Sequence, residues 1–158
     1  MHESASPTAN RDGRGTRLSD AEQAAWGGFL RAYARVVNAL DEELTELHNL
    51  PLSSYDVLVQ LERAPNGELR MSELADAVVL SRSGLTRLVS RLVDQGLCTR
   101  RECENDARGS YAVITDAGRA RLAEARATHL RGVRERFLGH LSDADQRRLE
   151  AIWERVGA

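Results

Sequence analysis

The sequence predicts a mainly α-helical fold with a small β-hairpin wing, and three observations lead to it. Apolar residues recur at a spacing of three or four through most of the chain, which is typical of amphipathic helices. Two short helices separated by a turn at Leu80–Ser81 have the order of a helix-turn-helix. A hairpin tipped by Asp106-Ala107-Arg108-Gly109 follows. The fold class is therefore a winged helix-turn-helix flanked by N- and C-terminal helices.

The composition is that of a single mainly helical globular domain. The 158 residues are 42% hydrophobic and 29% charged, and the low aromatic content and three prolines suit helices. The net charge is only −2, so any binding to a polyanion depends on where the charges lie. All 22 basic residues are arginines, each a planar fork suited to phosphate or guanine.

Residues 1–18 are polar, and we expect them to form a flexible N-terminal tail. Arg11, Arg14 and Arg17 leave a basic minor-groove arm open as an alternative. The chain has no apolar run near 18 residues and no signal-peptide pattern. We therefore expect a cytoplasmic protein without membrane contact.

Cys98 and Cys103 bracket one predicted strand. Their separation of about 16 Å along a strand exceeds the roughly 7 Å that a disulfide spans between Cα atoms. Their odd offset also points them to opposite faces. A bridge between them is not expected, and a redox switch remains the less favoured alternative.

Capping residues mark the first helices. Ser19 begins a capping box, and the helix that follows carries a narrow apolar seam over about 25 residues until the break at Asn49-Leu50-Pro51. Ser53 or Ser54 is expected to cap the second helix. The turn at Pro65-Asn66-Gly67 ends that helix.

The central motif contains two helices of different character. The first, Met71 to Val79, has a poorly capped start. Ser81 caps the second, and Gly96 ends it. The apolar residues of the second helix face the core because they fall at i, i+3, i+4 and i+7: Leu85, Leu88, Val89 and Leu92. By elimination the remaining side chains face solvent: Arg82, Ser83, Thr86, Arg87, Ser90 and Arg91.

The C-terminal half begins with two predicted strands, Leu97–Glu104 and Tyr111–Ile114, joined by the loop Asn105–Ser110. Thr115 caps a long helix that runs to about Leu138. Ser142 starts the last helix.

The solvent-facing side of the second motif helix suits duplex DNA, because this helix of a helix-turn-helix lies in the major groove. Arg82 and Arg87 can each donate two hydrogen bonds to a guanine, worth about 1–3 kcal/mol of discrimination. Gly84 either permits close approach to DNA or is a tolerated helix-start glycine. Arg108 can enter the minor groove from the wing, and Asp106 structures the wing as a turn cap or an ion-pair partner. The predicted DNA set is Arg82, Ser83, Gly84, Thr86, Arg87, Ser90, Arg91 and Arg108.

Several runs together resemble the MarR family of bacterial transcriptional regulators. They are Met71-Ser72-Glu73-Leu74-Ala75, Leu80 to Val89, Gly96-Leu97, Asp106-x-Arg108 and Ile114-Thr115-x-x-Gly118. The last two are the most specific, although Ile114 stands where the family usually has leucine. The resemblance covers roughly residues 19–156 and implies a DNA-binding transcriptional regulator, a repressor in our interpretation.

The resemblance also implies a homodimer that reads a pseudo-palindromic operator in double-stranded DNA. We expect residues 19–158 to form one domain, with dimerisation helices at 19–50 and 117–158 around a winged unit at 53–116. The alternative is that the terminal helices pack on each other within one chain. The residues expected at the dimer interface are Trp26, Phe29, Leu40, Phe137, Leu149, Ile152 and Trp153.

Family members often release DNA when a small phenolic or anionic molecule binds between the dimer helices and the winged unit. The corresponding candidates here are Trp26, Tyr33, His48 and Tyr55, although ordinary core or surface packing is the favoured interpretation of any one of them taken alone. The first helix has no cysteine for oxidation sensing. The four histidines are scattered, so neither a metal nor a cofactor is expected.

The sequence has no catalytic motif, and we do not expect an enzyme. The competing hypothesis is a degenerate winged-helix dimer that binds another protein without binding DNA. Such a protein should have lost its exposed arginines. This chain keeps Arg82, Arg87, Arg91, Arg100, Arg101 and Arg108, which favours DNA.

Overall fold

The computed structural model describes residues 17–78, 82–103 and 106–157, so most of the predicted N-terminal tail lies outside the described residues. The predicted fold class is confirmed: helices dominate, and a small antiparallel sheet forms the wing. The helices are α1 Asp20–His48, α2 Leu52–Arg63, α3 Met71–Ala77, α4 Arg82–Asp94, α5 Asp116–Arg136 and α6 Asp143–Gly157. The strands are β1 Glu68–Arg70, β2 Cys98–Cys103 and β3 Asp106–Ile114.

The chain divides into two compact units, residues 1–35 and residues 36–158. The first, described from Arg17 onward, contains the start of α1. The predicted capping box is present there: the Ser19 hydroxyl accepts from the Glu22 N–H at 3.3 Å, and the Glu22 carboxylate accepts from the Ser19 N–H at 2.7 Å. These two bonds satisfy N–H groups that the first helical turn leaves open.

The second unit holds one hydrophobic core between α2, α3, α4, α5 and the sheet. All four predicted core positions of α4 are buried, which confirms their period. A helix face of this kind is held mainly by tertiary packing, because a helix of 13 residues is marginal alone. The largest fully buried side chains are Leu44, Leu50, Leu58, Leu61, Leu74, Leu85, Leu88, Leu92 and Leu122.

The sheet has the order β1-β3-β2 and is antiparallel throughout. Strand β1 was not predicted, because three residues after a turn are too few to show an alternating pattern. Strand β3 begins at Asp106, so the predicted loop 105–110 is wrong over most of its length. Pairing of Ser110 with Glu102 of β2 extends the strand into the predicted loop.

The start of α2 also differs from the prediction. This helix begins at Leu52, and neither Ser53 nor Ser54 caps it. Instead the Asp41 carboxylate of α1 accepts a hydrogen bond from the Leu52 N–H at 2.8 Å. The cap therefore comes from eleven residues upstream, too far along the chain for a local capping rule to predict.

The starts of α5 and α6 agree with the sequence, whereas the predicted cap Ser81 of α4 lies outside the described residues. Thr115 caps α5 by accepting from the Gly118 N–H at 3.0 Å, and Ser142 caps α6 by accepting from the Asp145 N–H at 3.3 Å. Helix α5 ends at Arg136, two residues before the predicted end, where a 3₁₀ turn at Leu138–His140 takes over. Among the described helices, none is both long and apolar enough to cross a membrane.

Candidate nucleic-acid interface

Helix α4 presents two contrasting faces. Its apolar face is buried, whereas Thr86, Arg87 and Arg91 are exposed on the other side. Arg82 and Ser83 lie in its first turn, but their side chains fall outside the described residues. The described part of α4 thus offers two arginines, one turn apart, to solvent.

Ser90, which belongs to the predicted DNA set, is half-buried and already engaged within the protein. Its hydroxyl donates to the Thr86 carbonyl oxygen at 2.9 Å. It also accepts from Nη2 of Arg100 at 3.0 Å, and the same nitrogen donates to the Thr86 carbonyl oxygen at 3.0 Å. Arg100 of strand β2 therefore connects the wing to the middle of α4.

The wing is a two-stranded ribbon extended by β1 at its base. Cys98 pairs with Ile114 and Glu102 with Ser110, and an irregularity lies between Glu102 and Cys103. Asp106 and Arg108 are both in β3, with side chains outside the described residues. Their predicted roles at the wing tip therefore rest on their place in the ribbon.

A cluster at the base of the wing joins all three strands through Tyr111. The guanidinium of Arg101 lies 4.5 Å from the centre of the Tyr111 ring, and that of Arg70 lies 5.5 Å from it. Glu68 accepts two hydrogen bonds from Arg101, the shorter at 2.7 Å. Arg70 Nε also donates to the Tyr111 hydroxyl at 3.1 Å. Cation–π contacts and an ion pair thus brace the sheet that carries the wing.

The roles of Arg100 and Arg101 were not predicted, although the alternation of strand residues carried a signal. Alternating residues of a strand point to opposite faces. Arg100 shares a face with the buried Cys98, and Arg101 shares the opposite face with Tyr111. The strand period would have separated the two arginines, but it could not have named their partners.

The C-terminal end of α4 is fastened to the start of α5. Gly96, at φ +71°, and Leu97 close α4 through bonds to the Val93 and Leu92 carbonyls, both at 2.9 Å. The Thr115 hydroxyl then donates to the Gly96 carbonyl at 2.7 Å, and the Thr115 N–H donates to the Leu97 carbonyl at 3.1 Å. One residue therefore caps α5 and ties it to the end of α4.

Comparison with known proteins shows which family has this architecture. A model of the MarR family matches residues 48–109. AbsC of Streptomyces coelicolor, a MarR family transcriptional regulator, is 30% identical, with 89% of this chain and 95% of AbsC covered and a TM-score of 0.83. Sco3205 of the same organism, a MarR family regulator solved in complex with DNA, is 32% identical, with 89% of both chains covered and a TM-score of 0.85.

The chain belongs to the MarR family.

The structure of Bordetella bronchiseptica BpsR has the same fold at 20% identity, with a TM-score of 0.74 over 85% of this chain and 99% of BpsR. No curated protein sequence matches this chain. The family assignment makes the protein a transcriptional regulator with a winged-helix DNA-binding unit. It also agrees with the resemblance seen in the sequence motifs.

Two of the predicted effector residues of this MarR protein lie against α5. The ring of Tyr55 stacks on the ring of His129, with the centroids 4.4 Å apart. His48 Nε2 lies 2.8 Å from the Thr128 hydroxyl. Burial raises the pKa of Tyr55 and lowers the pKa of His129. The second unit thus contains a partly buried group of aromatic and polar side chains between α1, α2 and α5.

The other two predicted effector residues, Trp26 and Tyr33, lie in the first unit. Both are about half exposed, and Phe29 stands between them on the same helix with ring separations of 5.8 and 6.2 Å. They form an aromatic row along α1.

The residues predicted for the dimer interface differ in exposure. Trp26, Phe29, Phe137 and Trp153 are substantially exposed, whereas Leu40 is buried against α5 beside Gly132. Leu149 and Ile152 are half-buried on α6. A cleft of about 750 Å³ lies along α6, lined in part by Phe137, Leu149 and Trp153. Apolar surface on α6 therefore stays uncovered within one chain.

Cys98 bears on the redox alternative. Its thiol is buried in the core, and that burial raises its pKa to about 12. Because the thiolate is the reactive form, this cysteine is a packing residue. Among the described residues, no group of three or more His, Cys, Asp or Glu side chains could hold a metal ion.

Proposed function

We propose that this MarR-family protein is a homodimeric repressor that binds a pseudo-palindromic operator in double-stranded DNA. The observation that carries the proposal is the exposed pair Arg87 and Arg91 on the helix that leads into the wing. Guanidinium groups on the second helix of a helix-turn-helix meet base edges and phosphates in the major groove. The DNA complex of Sco3205 supports the choice of partner.

The proposed interface comprises the whole predicted DNA set. Arg82 and Arg87 contact bases, Ser83, Gly84, Thr86 and Arg91 lie against the groove or its phosphates, and Arg108 enters the minor groove. Asp106 structures the wing. Ser90 acts through its bonds to Thr86 and Arg100. These roles follow the division between contacts that position the protein and contacts that read the sequence.

The test is a DNA titration of the full chain. A labelled duplex from the region upstream of its own gene is compared with a scrambled duplex by fluorescence anisotropy at two salt concentrations. We expect tighter binding to the upstream duplex and weaker binding of both at higher salt. Arg108→Ala should weaken both complexes and reduce the salt dependence. Absence of binding to either duplex at low salt contradicts the proposal.

The proposed release signal is a small aromatic acid or phenol. BpsR supplies a precedent, since its DNA binding is regulated by 6-hydroxynicotinic acid. In this chain Tyr55 interacts with Arg126, which also forms an ion pair with Glu62, and His48 lies against Thr128 on the same helix as Arg126. An anionic aromatic ligand would find both a ring and a cation there. Trp26 and Tyr33 are the further candidates from α1.

A thermal-shift screen of small aromatic acids tests this signal. A true effector should raise the melting temperature of the wild type and weaken its binding to the upstream duplex. Tyr55→Ala should lose the thermal shift. A compound that raises the melting temperature equally in both proteins binds elsewhere.

A further inference from the structure

We infer that Arg100, on strand β2 of the wing, is a phosphate-binding residue that helix α4 holds in position. The inference rests on the proposed DNA-binding function and adds a residue to its interface. Arg100 is not in the predicted DNA set, and its position follows from the contacts of strand β2.

Arg100 lies on the face of the sheet that packs against the core, at the point where that face becomes exposed. On that face Cys98 and Ala112 are buried, and Arg100 pairs in register with Ala112. The Arg100 side chain is exposed, and its guanidinium reaches the middle of α4. It therefore lies between the helix proposed for the major groove and the ribbon proposed for the minor groove.

The hydrogen bonds of Arg100 leave most of its donors available. Both bonds to α4 use Nη2, one to the Thr86 carbonyl and one to the Ser90 hydroxyl. A guanidinium carries five N–H groups, so Nη1 and Nε keep three. A planar fork with one nitrogen fixed and the others open is suited to a phosphate oxygen.

The neighbouring Arg101 differs from Arg100 because a carboxylate pairs with it. Arg101 lies on the opposite face, where the Glu68 carboxylate neutralises it at 2.7 Å. Among the side chains that the structure describes, no carboxylate pairs with Arg100. Its charge therefore remains available to an external anion, and the α4 contacts reduce the side-chain entropy lost on binding.

DNA geometry makes a phosphate the ligand. A sugar–phosphate backbone separates neighbouring major and minor grooves, and a protein that enters both must cross it. Contacts to that backbone set the register of the protein without reading bases. Arg100 should therefore act equally on specific and non-specific duplexes.

The experiment measures the salt dependence of binding for the full-length wild type, Arg100→Gln and Arg100→Lys. The probes are the upstream duplex and the scrambled duplex. We expect Arg100→Gln to lower the slope of log K against log salt by about 0.9 for each bound protomer, on both duplexes. Between 50 and 200 mM salt, the fold loss of affinity should then be about 3.5 times smaller per bound protomer than it is for the wild type.

Arg100→Lys separates positioning from charge. A lysine keeps the charge but has a single nitrogen to share between α4 and phosphate. We expect a slope like that of the wild type with about 2- to 12-fold weaker binding. The matched control is Arg148→Gln on α6, which removes the same charge from a highly exposed site and should leave the slope unchanged.

The outcomes are distinct. A folded Arg100→Gln protein, checked by circular dichroism, with the wild-type slope overturns the inference while the DNA-binding function stands. If Arg100→Gln does not fold, Arg100→Lys decides: wild-type affinity overturns the inference, and weaker binding with an unchanged slope supports it. A wild type that binds neither duplex removes the proposed function itself.

Discussion

Arg87 is an exposed guanidinium of α4 in a position suited to base contact. We predict that Arg87→Ala weakens binding to the upstream duplex by about 1–3 kcal/mol and relaxes preference at one base position per half-site. The measurement is a titration against the upstream duplex and a set of single-base variants. Arg148→Ala on α6 is the control for removed charge. An equal loss on every variant would assign Arg87 to a phosphate instead.

His129 illustrates how burial of one residue links stability to pH. Its ring stacks on Tyr55, its Nδ1 is buried without a hydrogen-bond partner among the described residues, and burial lowers its pKa. Its pKa in the unfolded chain is about 6.5, so below that pH the unfolded chain takes up a proton before the folded one. The contribution of the buried neutral His129 to the free energy of unfolding is thus complete above about pH 6.5. It falls as the pH drops toward the lower pKa that His129 has in the folded protein.

We therefore predict that acidification costs the wild type more stability than His129→Gln. The difference is at most about 1.4 kcal/mol per pH unit, and urea unfolding at pH 7.5 and 5.5 measures it. His140→Gln, at an exposed position in the 3₁₀ turn, is the matched control. A parallel loss in the wild type and His129→Gln would contradict the assignment.

At the scale of elements, the joint between α4 and α5 depends on Gly118. A Cβ placed there would stand 2.2 Å from the Leu97 carbonyl oxygen and 2.9 Å from Ile114 Cγ1. We predict that Gly118→Ala destabilises the protein by about 1–3 kcal/mol, even though alanine is the better helix former. The measurement is chemical denaturation.

The control for Gly118→Ala is the opposite exchange in the same helix. Ala120 is exposed, so Ala120→Gly should cost about 1 kcal/mol through helix propensity alone. If Gly118→Ala and Ala120→Gly both destabilise the protein, helix propensity cannot explain both losses. The loss in Gly118→Ala would then come from the steric contact with Leu97 and Ile114. A stabilising Gly118→Ala would mean that the backbone relaxes away from the contact.

The elements show how far local sequence rules extend. Ser19, Gly96, Thr115 and Ser142 were predictable because a cap acts within four residues of its helix. The start of α2 was not, since its partner Asp41 belongs to the preceding helix. Strand β1 and the full length of β3 exist through pairing across the sheet, which a one-dimensional pattern does not record.

The candidate site divides in the same way. Elimination of the core positions correctly predicted that Thr86, Arg87 and Arg91 are exposed, whereas Ser90 is half-buried. The bracing of the wing by Tyr111 and the contact of Arg100 with α4 join residues more than ten positions apart. Such contacts depend on the packed fold, so the sequence named the arginines without their partners.

At the scale of the whole molecule, the uncovered apolar surfaces bear on the proposed dimer. Trp26 and Trp153 are each about half exposed in a single chain. We predict a species of twice the 17.5 kDa chain mass in sedimentation velocity at micromolar concentration. Trp153→Ser should shift the equilibrium toward the monomer, with Arg148→Ser as the control from the same helix. A wild-type monomer under these conditions contradicts the dimer.

The Thr115 joint turns α4 into a lever with its pivot at the C-terminal end. The helix has 13 residues, so its far end lies about 20 Å from that pivot. A tilt of about 10° would carry that end by about 3 Å, as far as the length of a hydrogen bond. Because Thr115 ties α5 to this pivot, we expect a rotation of α5 by about 10° to displace mainly the N-terminal end of α4, where Arg82 lies. If the proposed base contacts are correct, such a tilt would be a way to release DNA while both helices stay folded.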